Sequence, residues 1–225
     1  MITPCTVTLK VEEKMEKPVY LYYQLDNFYQ NHRRYVRSRN DEQLRGDDVD
    51  EDDLDDCEPL VEIDGRQQCG LIAASLFNDT FTLLNEDSDT VAVSNKGIAW
   101  ESDVEHKFAN GTSEAFIVWM RTAGLPKFKK LYGIIDQDLP KGDYRVQIDN
   151  TYPVSEFDGK KYVVLSTTGW LGGKNPFLGF AYIIVGALCI LLCFGFLLKH
   201  MTNGRPLGDQ DYLNKILAKG AARDH

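Results

Sequence analysis

The stretch FLGFAYIIVGALCILLCFGFLL, Phe177 to Leu198, holds twenty-two residues without one charged side chain. As a helix it is about 33 Å long, enough to cross a hydrocarbon core of roughly 30 Å with a little tilt. It predicts one transmembrane helix within residues 175–199, which divides the chain into an ectodomain (1–174) and a tail (200–225). Lys199, Arg205, Lys215, Lys219 and Arg223 follow the span, whereas Lys174 alone lies close before it. Positive charge gathers on the cytoplasmic side, so the tail is expected in the cytoplasm and residues 1–174 in the lumen or outside the cell. Met1 to Lys14 contains no apolar run that could act as a signal peptide. A further amino-terminal segment, a second span or a signal, is therefore expected upstream.

The ectodomain is long enough for one domain with an apolar core and short for two. The formal charge of −9 owes much to Asp47–Asp56, where eight of ten residues are acidic. Such a run repels itself and stays solvated, and it lacks the glycine and spaced carboxylates of a calcium loop. A mobile loop is expected there. Without it the ectodomain is near neutral, so global charge says little about partners.

Cys57 and Cys69 bracket a polar loop containing Asp64-Gly65. Pairing them would stabilise the fold by about 3 kcal/mol in the loop-entropy description and suits an oxidising compartment. Two buried free thiols are the other reading, and a zinc site lacks the further ligands it needs. Cys5 has no mate in the ectodomain, which places its partner upstream, while Cys189 and Cys193 lie one turn apart inside the span and read as small packing residues rather than lipidation sites. Asn78-Asp79-Thr80 and Asn110-Gly111-Thr112 both fit the N-glycosylation pattern.

Val7, Leu9 and Val11 alternate with polar residues, and Val19–Leu25 (VYLYYQL) is aromatic and β-branched, so both predict strands. Residues 28–39 suit an irregular or short helical surface. Leu71–Leu84 opens as a short helix and closes as a strand, with Asn78-Asp79 as the break. Ala115–Met120 (AFIVWM) reads as a buried strand. Pro126–Ile135 reads as a helix with proline in its first turn and Phe128, Leu131, Tyr132 and Ile135 on one face. Gly142–Ile148 and Tyr162–Thr168 are further strands, expected to form a hairpin around Tyr152-Pro153. Trp119 is expected in the core, Trp170 at headgroup depth as an interfacial anchor, and residues 172–176 (GGKNP) as a stiff elbow. The fold class is mainly β: an antiparallel ectodomain with short helices, followed by one transmembrane helix.

Catalytic patterns are lacking. The ectodomain has two histidines, His32 and His106, with no H-E-x-x-H, no G-x-S-x-G and no phosphate loop. Neither an enzyme nor a bound cofactor or metal is expected. The cluster Tyr29, His32, Arg33, Arg34, Tyr35, Arg37 and Arg39 has two readings: a solvated face that pairs with the acidic run behind it, or a contact surface for a protein partner or lipid headgroups, using the planar forks of arginine. A luminal placement offers it no nucleic acid. On the span, Gly179, Gly186, Ala187 and Gly195 are either small residues for close helix packing or ordinary lipid-facing sequence.

Several long strings are similar to one family: YLYYQLDNFYQNHRRYVRSRNDEQL (20–44), CEP (57–59), CG (69–70), SLFNDT (75–80), GIAW (97–100), FIVWMRTAGLPKFKKLY (116–132), YPV (152–154) and GGKNPFLGFAY (172–182). The chain resembles the cell cycle control protein 50 family, accessory β-subunits of type IV P-type ATPases, the phospholipid flippases. The resemblance implies a non-catalytic subunit, with a glycosylated and disulfide-bonded luminal domain, that escorts the ATPase from the endoplasmic reticulum and supports its lipid transport. Its locations would be the endoplasmic reticulum, Golgi, endosome or plasma membrane, and its partners the ATPase and membrane lipids. It also implies a Cys57–Cys69 disulfide, a glycan on Asn78, Cys5 in an amino-terminal cysteine cluster, and the span as the family's second one, the first being absent from this sequence. Arg33, Arg34, Arg37 and Gly186 are the candidate partner contacts. Two departures stand out: ANGTSEA (109–115) replaces a much longer insertion, and the sequon that relatives carry before YPV is absent, while Asn110 rests on its own motif. A different class remains open, a stand-alone single-span receptor or adhesion protein.

Overall fold

A computed structural model describes residues 3–61, 68–169, 172–173 and 176–203, together with 210, 211, 214, 215 and 217. The chain contains two compact units, Met1–Gly173 and Lys174–His225. In the first, strands β1 (Thr3–Val11), β2 (Val19–Leu25), β3 (Thr80–Leu84), β4 (Thr90–Val91), β5 (Phe128–Ile135), β6 (Gly142–Asn150), β7 (Lys161–Gly169) and β8 (Gly172–Gly173) form two antiparallel sheets, ordered β1-β6-β3-β4 and β5-β2-β7-β8. Short helices α1 (Arg33–Arg37), α2 (Asp41–Arg45), α3 (Leu71–Ala74), α4 (Glu101–His106) and α5 (Glu114–Met120) fill the long connections.

β2 explains why the second sheet forms. Its period of two puts Val19, Leu21, Tyr23 and Leu25 on one buried face, and aromatic and branched side chains suit such a pleated surface. Tyr23 stacks on Phe77 with ring centroids 4.0 Å apart. Leu83 of β3 and Val146 of β6 join the same core from the first sheet, with Ile72 of α3 and Trp119 of α5. Trp119 is fully buried, as expected, and its indole N–H donates to the Ile72 carbonyl at 2.7 Å. Burying side chains of this size stabilises by about 1.5 to 3 kcal/mol each.

Three expectations are corrected. Ala115–Met120 lies in helix α5, not a strand. A short apolar run does not reveal its period; the deciding signal is Ser113, whose hydroxyl caps the helix by accepting from the Phe116 N–H at 3.3 Å, with Glu114 in the first turn. Pro126–Ile135 is not a helix: from Phe128 it is strand β5. Phe128 and Lys130 point inward, then a bulge at Tyr132 shifts the register against β2. Gly133 follows the bulge because any Cβ there would collide with Val93. The hairpin around Tyr152-Pro153 is absent, since β6 pairs with β1 and β3 whereas β7 pairs with β2. Residues 151–160 instead carry the chain from one sheet to the other.

The acidic run is more ordered than its charge suggests. It contains two 3-10 turns, Glu51–Asp53 and Asp55–Cys57, and the apolar Leu54 between them is buried against the cysteine pair.

The second unit holds α6 (Pro176–Asn203), which starts at a proline whose missing N–H has no intrahelical acceptor at that position. Residues Phe177–Thr202 are long and apolar enough to cross a membrane, and apolar side chains cover the helix all round. Trp170 and most of the tail lie outside the described residues. Of the expected elbow, Gly172–Gly173 pairs with β7 as β8, and Lys174-Asn175 also lies outside them.

Lys130 joins α5 to β5. Its ammonium donates to the carbonyls of Val118 (3.0 Å), Trp119 (2.6 Å) and Arg121 (2.5 Å), which are the orphan acceptors at the end of α5. Burial, and then the Arg121 charge, bring its pKa from 10.5 down to about 7 against the pull of the carbonyls towards the charged form. Between these two values the unfolded chain binds more protons than the folded one, so stability increases with pH across that window. Thermal unfolding of the detergent-solubilised protein should show this gain from pH 7 to 10, at no more than about 1.4 kcal/mol per pH unit. Lys130→Met should abolish this component of the slope.

Candidate functional site: a basic face braced by a disulfide

Helix α1 is too short to be stable alone, and its inner side explains why it forms. Tyr35 and Val36 are half-buried, and the Tyr35 hydroxyl meets Ser75 Oγ at 2.8 Å and accepts from Gln30 Nε2 at 3.4 Å. Arg33, Arg34 and Arg37 are thereby left exposed on the outer side. Immediately after the helix, the buried Ser38 hydroxyl donates to the Cys57 carbonyl at 3.1 Å and accepts from the Leu71 N–H at 2.9 Å. One side chain thus ties the basic helix to the cysteine pair and to α3.

Cys57 and Cys69 form a disulfide, with Cα atoms 5.7 Å apart and both residues buried. Gln43 of α2 accepts from the Cys69 N–H at 2.8 Å, and Asn40 caps α2 by accepting from the Gln43 N–H at 2.8 Å. Gly70 has φ +96°, and a Cβ on it would strike the Ser38 carbonyl oxygen. The strings CEP and CG are therefore two halves of one brace beneath α1.

The sequence left open whether the arginines pair with the acidic run or face a partner. The structure divides them. Arg37 pairs with Asp56 at 3.0 Å, Arg39 with Asp41 at 2.9 Å and Arg45 with Asp47 at 3.3 Å. Arg33 and Arg34 have no ion pair among the described residues. With His32, Arg33, Arg34 and Arg37 on one side and Asp55, Asp56 and Glu58 on the other, they line a cleft of about 390 Å³. Such exposed pairs contribute about 0 to 1 kcal/mol each, so they hold this face together only weakly.

Asn78 is exposed where the chain enters β3, and Asn110 is exposed on the turn between α4 and α5. Gly186 lies in α6, and Cys5, Cys189 and Cys193 are exposed free thiols. No group of three metal-ligating side chains occurs among the described residues.

Sequence reasoning missed four charged anchors. Asp79, buried, accepts from the N–H groups of Thr151 (2.8 Å) and Tyr152 (2.7 Å) and pairs with Lys161 at 2.5 Å. Asp103, buried in α4, faces Lys107 at 2.7 Å and Arg121 at 3.1 Å in ion pairs rather than aligned hydrogen bonds. Arg121 also covers the exposed Trp100 ring at 3.1 Å. Glu114 accepts from three successive N–H groups, Gly97, Ile98 and Ala99, at 2.8 to 3.0 Å. Slight burial opposes ionisation of Glu114, but those donors and Lys96 hold its pKa below the usual range. Lys130 would have been found by reading 128–135 with a period of two, which places it beside Phe128 on the inner face.

The connection between α4 and α5 is a tight one. The Ala109 N–H donates to the Leu44 carbonyl at 2.8 Å, Thr112 donates back to the Ala109 carbonyl at 2.7 Å, and Gly111 takes φ +87°.

The model of the LEM3 (ligand-effect modulator 3) family / CDC50 family matches residues 1–114 and 110–206. The chain belongs to the CDC50 family. ALA-interacting subunit 3 of Arabidopsis thaliana is 47% identical over 237 residues, covering 93% of this chain and 67% of the relative. Cell cycle control protein 50A of Bos taurus is 41% identical over 241 residues (85% and 67%), and cell cycle control protein 50B of Homo sapiens 38% over 247 (88% and 70%). These alignments have more positions than the 225 residues of this chain, so its CDC50-family relatives carry segments with no counterpart here. The two family matches overlap at 110–114, the end of the tight connection just described and the first residue of α5.

The brace makes a sharp prediction. Gly70→Ala should lower the unfolding temperature of this CDC50-family chain by several degrees, as a change of 1 to 3 kcal/mol does in a domain of this size. Circular dichroism melting measures it; an unchanged melt would mean that Ser38 and Gly70 are not in register.

Proposed function

We propose that this chain is a non-catalytic accessory subunit of a type IV P-type ATPase that moves phospholipid, anchored by α6 with residues 1–174 in the lumen or outside the cell and residues 200–225 in the cytoplasm. The observation that carries the reading is membership of a family whose relatives include a protein named as an ALA-interacting subunit. The geometry supports it in kind. The described charged clusters are engaged in holding loops together, whereas Arg33 and Arg34 stand outward on a braced face that suits an acidic loop or lipid headgroups. In this reading the subunit escorts the ATPase out of the endoplasmic reticulum and supports lipid transport, and Asn78 and Asn110 carry glycans.

Affinity purification of the full-length protein in mild detergent tests the reading directly: a large P-type ATPase should be recovered with it, and its absence would sink the proposal. The double variant Arg33→Glu, Arg34→Glu should reduce that recovery by about tenfold, equivalent to 1.4 kcal/mol, without changing the melt. Among the described residues, nothing lies within 4 Å of a Cβ built on Gly186 of α6. If another helix packs there, Gly186→Leu should also weaken recovery, whereas unchanged recovery would assign that face to lipid.

A further inference from the structure

A cleft of about 490 Å³ opens beside Asn78 and is walled by Tyr29, Leu76, Pro153, Glu156 and Phe157. It differs from the charged cleft beside α1 in being largely aromatic and apolar with one carboxylate in its lining, and Tyr29 remains 57% exposed. The backbone of the asparagine on its rim is held in place. The Asn78 carbonyl accepts from Thr151 Oγ at 2.7 Å, and its neighbour Asp79 is buried and held by Thr151, Tyr152 and Lys161.

We infer that this cleft is the bed of the sugar attached to Asn78, an inference that rests on the reading of Asn78 as a glycan carrier. A pyranose ring has an apolar face of C–H groups that suits Tyr29 and Phe157. Its acetamido N–H and hydroxyls suit the Glu156 carboxylate, the combination of apolar walls and few polar groups that defines a small-ligand site. Attachment at the rim makes docking intramolecular, so even weak contacts hold the first sugar at a high effective concentration. The glycan then covers apolar surface of the ectodomain as a structural part of it.

The test uses the full-length protein made in a glycosylating eukaryotic cell and purified in detergent. Release of the Asn78 glycan by peptide N-glycosidase, followed by peptide mass spectrometry, should be at least about tenfold slower for the native than for the denatured protein, the factor that 1.4 kcal/mol of protection supplies. Tyr29→Ala should bring the native rate towards the denatured one. Tyr29→Ala should also lower the melting temperature in the glycosylated protein but not in the Asn78→Gln background, a coupling that simple loss of packing would not produce. Glu156→Gln, on an exposed side chain, provides a second variant with the same expected direction. A glycan on Asn78 whose release ignores both variants, with additive melting shifts, overturns this inference and leaves the carrier reading standing. Asn78 found bare overturns both.

Discussion

The buried carboxylate of Asp79 is the contact on which the two-sheet arrangement turns. It sits where β3 begins in one sheet, accepts the two N–H groups of the crossing segment at Thr151 and Tyr152, and pairs with Lys161 where β7 begins in the other. A buried charge is tolerable only when such partners satisfy it. Removing one member of a pair of this kind typically costs 3 to 5 kcal/mol, comparable with the net stability of many domains. β2 and its aromatic face provide the mass of the core, but Asp79 fixes how the chain passes between the layers.

Around that centre, polar side chains do the work of short elements that cannot stand alone. Lys130 closes α5, Glu114 gathers the loop 97–99, and Ser38 with the Cys57–Cys69 bridge seats α1. Each satisfies backbone groups that a longer helix or strand would satisfy internally. The outer arginines of α1 are therefore displayed on a braced support, which on the proposed reading would lower the ordering entropy lost on binding.

Much of this was legible in the residues. Period-two alternation located β1 and β6, aromatic and β-branched composition located β2 and β7, the Asn78-Asp79 break separated α3 from β3, and the uncharged run gave α6. Two segments exchanged identities because their patterns were ambiguous: AFIVWM is a short apolar run without a period, and PKFKKLYGII fits a helical face as well as a strand interrupted by a bulge, so local pattern could not arbitrate between helix and strand. Their outcome was settled by Ser113 as a cap and by Gly133 as the residue that admits Val93 across β5. The hairpin failed because strand pairing is a non-local choice, made by the core and by Asp79, and nothing in the turn residues encodes it. Of the candidate face, the arginine cluster was visible, but not which guanidinium groups would already be engaged.

Asp79 also sets an order of events. It is the middle residue of the sequon, and Thr80, the third, already donates its hydroxyl to Asp149 at 2.7 Å. A transferase that must wrap all three residues in its groove cannot reach them once Asp79 is interred and β3 is laid against β6. On the proposed reading of Asn78 as a glycan carrier, sugar addition has to precede the closing of the sheets, and the fraction of molecules that carry it would report how fast the nascent domain folds.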